Sequence, residues 1–251
     1  IAASWVARAE ALQDQLTKPR GALGALERVA VQLAGLQRTV RPRPRPAAAV
    51  LFAAAHPVCV HGVSAYPQAV TPAMVANLAS GGAAASVIAR GLGVPLYVID
   101  VGVSAPVPDV PVASGVQFTT AAPAGRVGDL RTEDALDQPA FDAAWQAGRA
   151  AVHALPADLS LLVLGEMGIG NTTPAAAVLG ALLGLPATDV VGRGTGVDDA
   201  GLTRKRTVVA DALRRIGPGC APLEVLRRVG GRELVAIAAA ALPAAERGAA
   251  V

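Results

Sequence analysis

Three continuous apolar runs stand out along the chain, at residues 47–55, 95–103 and 159–166. Runs of this length and continuity are typical of strands that are buried on both faces of a sheet. Helix signals lie between and after them, near 71, over 132–155, over 174–183, from 198 or 199 through 215, and over 233–241. Such an alternation predicts an α/β fold, with a mostly parallel sheet and helices on both of its faces.

Capping residues mark several of the predicted helix starts. Ser4 can cap a first helix that runs to about Leu16, and Thr71 can cap another, followed by Pro72. Asp198 or the next aspartate can cap a later one.

The first forty residues are helical in pattern and end in a segment of alternating arginine and proline. Apolar residues from Leu23 to Leu36 recur at helical spacing, which predicts a second helix. Alternating proline favours an extended, solvated connector after it. The predicted division is a helical portion of a small domain at 1–40, a linker at 41–46, and an α/β nucleotide-binding domain at 47–251.

Composition excludes several classes of protein. Hydrophobic residues make up 53% and charged residues 16% of the chain, which excludes dominant disorder. Prolines, glycines and polar residues interrupt every long apolar stretch, so we expect a soluble protein without a membrane span. The first ten residues lack a basic segment followed by an apolar one, so we expect no signal peptide.

Two isolated cysteines and a mild basic charge refine this picture. Cys59 and Cys220 form no pair at close spacing, which fits a reducing cytoplasm. The net charge of +3 suits anionic small substrates. We expect neither nucleic acid nor membrane as a partner, since a nucleic-acid binder usually shows a clustered basic face with aromatic residues.

The segment LGEMGIGNTTPAA, at 164–176, is the most informative loop. A buried strand ends in Glu166, three glycines lie close by, and Asn171 and two threonines precede a helix. Glycine amides, hydroxyls and a helix start together favour binding of a phosphate or carboxylate. The loop matches neither the dinucleotide fingerprint nor the lysine-containing P-loop. A tight strand-to-helix turn without a ligand is the alternative.

A second glycine-rich loop, VGRGTGVDDAGLTRKR at 191–206, places Arg193 and Lys205 around three glycines. It is a second candidate anion site, although an exposed helical lysine is the simpler interpretation of Lys205. His56, Cys59 and His61 lie within six residues and could ligate zinc, but no fourth ligand has the required spacing. We therefore predict no metal site and no cofactor.

Three long motifs resemble one enzyme family. They are LTKPRGALGALERVAVQLAGLQ at 16–37, GVSAYPQAVTPAMVANLASGGAAASVIAR at 62–90, and 165–206 with both glycine-rich loops. The resemblance is to the nicotinate-nucleotide:dimethylbenzimidazole phosphoribosyltransferases of cobalamin biosynthesis, and it covers nearly the whole chain. It implies a Rossmann-like sheet, a small helical domain and a homodimer. The implied reaction transfers phosphoribose from nicotinate mononucleotide to 5,6-dimethylbenzimidazole, and releases nicotinate and α-ribazole 5′-phosphate.

The resemblance also implies site residues. Against the nucleotide it implies Glu166, Gly168, Ile169, Gly170 and Asn171. For the phosphate and nicotinate region it implies Gly194, Thr195, Gly196 and Lys205. For the flat aromatic pocket it implies Ser64, Tyr66 and Met74.

Elementary chemistry defines what such a reaction needs. Nicotinate leaves the donor as a neutral pyridine, so it needs no general acid. The attacking benzimidazole becomes cationic unless its other ring N–H is deprotonated, so a carboxylate there is the useful general base. Attack opposite the leaving group inverts the β donor to the α product.

The sequence departs from the family pattern in two places. Ala55, Pro57 and His61 stand where an aspartate, a glycine and a glutamate are expected, and only His56 of that element remains. No residue matches the family's C-terminal catalytic glutamate, so the catalytic residue stays unassigned and Glu166 is the candidate assisting carboxylate. Two alternatives follow: a non-catalytic nucleotide-binding homologue, or a relative that activates another aromatic base, such as a phenol or purine.

Overall fold

Across residues 2–251, the computed structural model contains ten α-helices and a four-stranded sheet. The helices are α1 Ala3–Gln15, α2 Ala25–Gln37, α3 Val70–Ala79, α4 Ala84–Leu92, α5 Gln138–His153, α6 Thr172–Leu183, α7 Ala187–Val190, α8 Asp199–Ile216, α9 Pro222–Val229 and α10 Arg232–Glu246. The strands are β1 Ala47–Ala54, β2 Leu96–Gly102, β3 Val116–Thr120 and β4 Leu161–Met167, and a 3₁₀ turn spans Pro57–His61.

All four strands are parallel, in the order β3-β2-β1-β4. The predicted α/β fold with a parallel sheet is confirmed. Because the strands are parallel, their carboxyl ends meet at one edge of the sheet, which is where ligands bind in open α/β folds. At this carboxyl edge His56 follows β1, Gly102 ends β2, and Glu166 is the last residue but one of β4.

Helices cover both faces of β1. Phe52 faces α5 and α10, where it packs in one buried cluster with Val152 and Ala240. Leu51 faces the opposite side, in a cluster with Val75 of α3. Burial of alternate residues on opposite faces explains why the strand is apolar at every position rather than at every second one.

Two predicted helix caps are wrong. Ser4 lies inside α1, which begins after Ala2, and the Ala2 carbonyl already accepts from the amide of Trp5. Thr71 is the second residue of α3, because a turn in which Val70 N–H donates to the Pro67 carbonyl already starts that helix. Neither start therefore uses a side-chain cap.

Other helix boundaries agree with the pattern or shift from it for a clear reason. Asp198 caps α8 as predicted, and its carboxylate accepts from the amide of Gly201 at 2.7 Å. The helix predicted from 132 begins only at Gln138, since Asp137 caps α5 and Pro139 occupies its first turn. Strand β3 and helix α9 were not predicted: β3 is a short, largely polar edge strand, and α9 has only eight residues.

The two N-terminal helices, α1 and α2, pack on each other. Ala9 of α1 and Ala34 of α2 are buried. The apolar residues that predicted α2 are nevertheless mostly exposed, with Leu26 exposed by 68%. Gln37 joins α2 to the sheet, since its side-chain amide donates to the carbonyl of Ser160 at 2.8 Å. The division at 1–40, 41–46 and 47–251 stays a prediction.

One helical stretch in the described part of the chain, Val70–Leu92, is long and apolar enough to cross a membrane by length and composition alone. Residues 80–83 interrupt it between α3 and α4. Half of its most apolar window is buried inside the fold, which is typical of a core helix in a globular protein.

Gly148 provides a test of the packing of α5 against α10. A Cβ at Gly148 would lie 2.1 Å from the carbonyl oxygen of Ala236, whereas a Cβ at Gly91 of α4 would meet no atom within 4 Å. We expect Gly148→Ala to lower the free energy of unfolding by about 1–3 kcal/mol through overpacking. Gly91→Ala, the matched control, should raise it by roughly 0.5–1 kcal/mol. Urea denaturation measures both, and equal effects would contradict the close approach of the two helices.

Candidate functional site

The loop at 168–171 joins β4 to α6 and is fixed from two sides. The amide of Ile169 donates to the buried hydroxyl of Thr71 at 3.1 Å, and its carbonyl accepts from the thiol of Cys59 at 3.0 Å. Gly170 has φ +92°, and a Cβ there would lie 2.5 Å from the sulfur of Cys59. The loop is therefore held in one conformation by α3 and by the 3₁₀ turn.

Glu166 lies partly buried at the carboxyl edge, and its Oε2 atom is enclosed without a hydrogen-bond partner. Burial raises the pKa of its carboxyl, and the negative charge of Glu233 raises it further. The Asn171 side chain and His56 act in the opposite direction but do not cancel these effects. A carboxyl group with a raised pKa in a cleft is suited to proton transfer.

His56 and Glu233 form a buried pair beside Glu166. The His56 Nε2 atom lies 3.1 Å from Oε1 of Glu233, and their side chains are 3% and 0% exposed. This is the distance of an ion pair, although the alignment of the two groups is not that of a hydrogen bond. Burial disfavours the charged imidazole, but the Glu233 carboxylate and the charge of Glu166 together outweigh burial and raise the pKa of His56.

Two glycines make room for this pair. A Cβ at Gly168 would lie 2.8 Å from Nε2 of His56, and a Cβ at Gly231 would lie 2.6 Å from its Cε1 atom. The same Cβ at Gly231 would also lie within 2.8 Å of both carboxylate oxygens of Glu233. The imidazole is thus enclosed between two backbone segments that no larger residue could occupy without displacement.

Sequence reasoning missed Glu233, which enters the site from the first turn of α10. In the sequence, Glu233 was recognised only as the first residue of a predicted helix at 233–241. The start of a helix stabilises a carboxylate, which fits its position there. The retained His56 of the altered family element was the one signal that could have led to it.

Lys205 forms a second cluster at the start of α6. Its side chain is 1% exposed, and Nζ donates to the hydroxyl of Thr172 at 2.5 Å. Gly194, with φ +54°, approaches so closely that a Cβ would lie 2.8 Å from Nζ. Burial lowers the pKa of Lys205. The interpretation of Lys205 as an exposed helical lysine is therefore wrong.

This lysine cluster borders a cleft of about 270 Å³. Thr172, Gly194 and Lys205 line its polar side, and apolar residues of α6, including Leu179, line the other. A buried ammonium group whose partner is a hydroxyl, beside glycine amides, is suited to an anionic ligand.

Thr195 connects the second glycine-rich loop to the segment at 64–65. Its hydroxyl lies 3.1 Å from that of Ser64 and accepts from the amide of Ala65 at 3.0 Å. Tyr66 is 56% exposed, and Met74 is partly buried on α3. The structure therefore brings Ser64 to Thr195, while Tyr66 points away from the protein interior. Gly196, at φ +92°, follows Thr195 in the second glycine-rich loop.

The three potential zinc ligands have separate partners. His56 pairs with Glu233, Cys59 donates to Ile169, and His61 Nε2 lies 2.5 Å from Oδ2 of Asp129. Within residues 2–251, no group of three or more His, Cys, Asp or Glu side chains is arranged to hold a metal ion.

The fold and the polar groups along its edge define an α/β protein of the class that binds ligands at the carboxyl ends of parallel strands. Residues 1–251 match a family model described as phosphoribosyltransferase. The chain belongs to this phosphoribosyltransferase family.

Relatives of the chain agree with this assignment. It is 48% identical to the nicotinate-nucleotide--dimethylbenzimidazole phosphoribosyltransferase of Deinococcus radiodurans, over 98% of this chain and 67% of that protein. It is 49% identical to the enzyme of the same name from Thermus thermophilus, over 96% of this chain and 71% of that one. The crystal structure of CobT from Thermus thermophilus superposes with a TM-score of 0.85 at 47% identity, covering 98% of this chain and 73% of that one. The chain thus spans about two thirds to three quarters of the length of these relatives.

The hydroxyl of Thr71 provides a test of how the 168–171 loop is held. Thr71→Val keeps the side-chain shape but leaves the buried amide of Ile169 without its acceptor. We expect the free energy of unfolding to fall by about 1–3 kcal/mol, measured by urea denaturation. Thr207→Val, on the exposed face of α8, is the control and should change it by less than about 0.5 kcal/mol. Equal effects of the two changes would show that the Thr71 bond does not stabilise the loop.

Proposed function

We propose that this chain transfers the phosphoribosyl group of nicotinate mononucleotide to 5,6-dimethylbenzimidazole in cobalamin biosynthesis. The products are α-ribazole 5′-phosphate and nicotinate. The observation that carries the proposal is a buried, partly uncompensated ammonium group, Lys205, on the same sheet edge as a carboxyl of raised pKa, Glu166. The names of the relatives from Deinococcus radiodurans and Thermus thermophilus support it. We place the protein in the cytoplasm, as a homodimer.

The lysine cluster is the proposed site for the donor's phosphate. Lys205 supplies positive charge. Thr172 supplies a hydroxyl, which the ammonium group of Lys205 already orients. The loop at 194–196 adds backbone amides, and the start of α6 adds partial positive charge. These groups fix the donor while the chemistry occurs at its anomeric carbon, which is catalysis by positioning.

Glu166 is the proposed acceptor of the benzimidazole proton. The bond from the anomeric carbon to the nicotinate nitrogen breaks, and nicotinate leaves with that electron pair. The benzimidazole nitrogen forms a new bond to the same carbon from the opposite side, and its other N–H proton passes to the carboxylate. Glu166 must therefore be ionised at the start of the reaction, and its raised pKa makes it a better acceptor once it is ionised.

The acceptor pocket is proposed to lie beside the first glycine-rich motif. Ser64, Tyr66 and Met74 would line it, next to the loop at 168–171. Dimethylbenzimidazole is flat and largely apolar, so stacking on a partly exposed tyrosine and contact with a methionine side chain would recognise it with few polar groups.

Product formation with a matched pair of variants tests the proposal. The purified chain is mixed with nicotinate mononucleotide and dimethylbenzimidazole, and α-ribazole phosphate is quantified by chromatography. We expect turnover by the native chain and a loss of about 10²–10⁴-fold in Glu166→Gln, the range typical of a general base. Glu246→Gln, at the exposed end of α10, is the control and should keep native activity.

Three other outcomes would contradict parts of this account. Full activity in Glu166→Gln would exclude Glu166 as the proton acceptor. Binding of the mononucleotide without any product would favour a non-catalytic nucleotide-binding protein. Preferential use of a phenol or a purine in a competition among acceptors would assign a different aromatic base.

A further inference from the structure

The His56–Glu233 pair is a buried charged group to which the proposed chemistry assigns no role. The pair and Glu166 come from three elements: His56 follows β1, Glu166 lies in β4, and Glu233 lies in the first turn of α10. The imidazole contacts the carboxylate of Glu233, and its charge also acts on that of Glu166. Burying such charges is costly unless they compensate one another.

We propose that His56, held by Glu233, is a positioning residue that keeps Glu166 ionised and ready to accept the acceptor's proton. The inference rests on the proposed function, because it takes Glu166 as the proton acceptor. The geometry that supports it is the 3.1 Å approach of Nε2 to Glu233 and the enclosure of the ring between Gly168 and Gly231.

The electrostatic argument concerns the balance of charge among the three side chains. With His56 protonated, two ionised carboxylates face one cation. Without the cation, Glu166 and Glu233 repel each other in a dry environment, and one of them retains a proton. A Glu166 that retains its proton cannot accept another one. The direction agrees with the pKa of Glu166, which burial and Glu233 raise and His56 lowers.

The other polar groups around the pair do not supply this charge. The pKa of the Cys59 thiol is raised to about 11 by burial, so the thiol is neutral at ordinary pH. Asp100, at the end of β2, accepts from the amides of residues 102 and 103. The guanidinium of Arg232 donates to the carbonyls of residues 124 and 125, and Lys205 donates to Thr172. Among these neighbours, His56 is the cation whose charge acts on Glu166, and its Nε2 atom lies against Gly168, two residues further along the chain.

Direct titration of Glu166 tests the proposal without relying on turnover. Glutamate carboxyls are labelled with carbon-13, and the Glu166 resonance is assigned by its absence in Glu166→Gln. We expect the titration midpoint of Glu166 to rise by about one pH unit or more in His56→Gln, since a buried opposite charge is lost. His153→Gln, which removes an exposed histidine at the end of α5, is the matched control and should leave the midpoint unchanged.

A functional readout separates positioning from mere structural support. In His56→Gln, the acid limb of the pH profile of kcat/KM should move to higher pH with the Glu166 midpoint, while the KM for nicotinate mononucleotide stays near its native value. An unchanged midpoint in folded His56→Gln would overturn the proposal. If the Glu166 midpoint shifts in His56→Gln but the native chain makes no product, the charge coupling is supported and the proposed function is refuted.

Glu233→Gln provides a second measurement if His56→Gln does not fold. Loss of the partner carboxylate should lower the titration midpoint of the His56 imidazole by about one pH unit or more. The ring resonances of His56 in NMR spectra measure this midpoint. An unchanged imidazole midpoint would show that Glu233 does not hold the charge of His56, which would overturn the proposal.

Discussion

The burial of His56 against Glu233 is the interaction on which the carboxyl edge depends. It joins the end of the central strand to the start of α10, and it requires glycine at 168 and at 231. Gly168 also shapes the backbone that follows Glu166. The packing that closes the core at this edge is therefore also what sets the charge environment of the proposed proton acceptor.

A rigid frame surrounds this pair. The parallel pairing of β1 with β4 brings Phe52 opposite Glu166, so the two strand ends lie side by side. The hydroxyl of Thr71 then holds the loop that follows, and α6 starts at its end with Thr172 beside Lys205. One short stretch of chain thus carries the proposed proton acceptor at one end and the proposed phosphate site at the other.

Local patterns were sufficient to predict much of this arrangement. The apolar runs predicted β1, β2 and β4, because strands buried on both faces need apolar residues at every position. The change from strand to glycines to helix after Glu166 predicted the ligand-binding loop. The edge strand β3 was not predicted because it is short and largely polar.

Features that depend on distant contacts could not be predicted in this way. Thr71 has the sequence of a helix cap, yet it bonds to a residue far along the chain, Ile169. Lys205 lies in a charged helical segment, and only the fold shows that Gly194 and Thr172 enclose it.

The central claim is that the carboxyl edge holds one nucleotide, with its phosphate at the lysine cluster and its reacting carbon toward Glu166. A crystal structure of the chain with nicotinate mononucleotide tests this most directly. The account predicts phosphate oxygens within hydrogen-bond distance of Nζ of Lys205 and the hydroxyl of Thr172, with the ribose directed along the loop at 168–171. A phosphate bound elsewhere, with Lys205 still bonded only to Thr172, would contradict it.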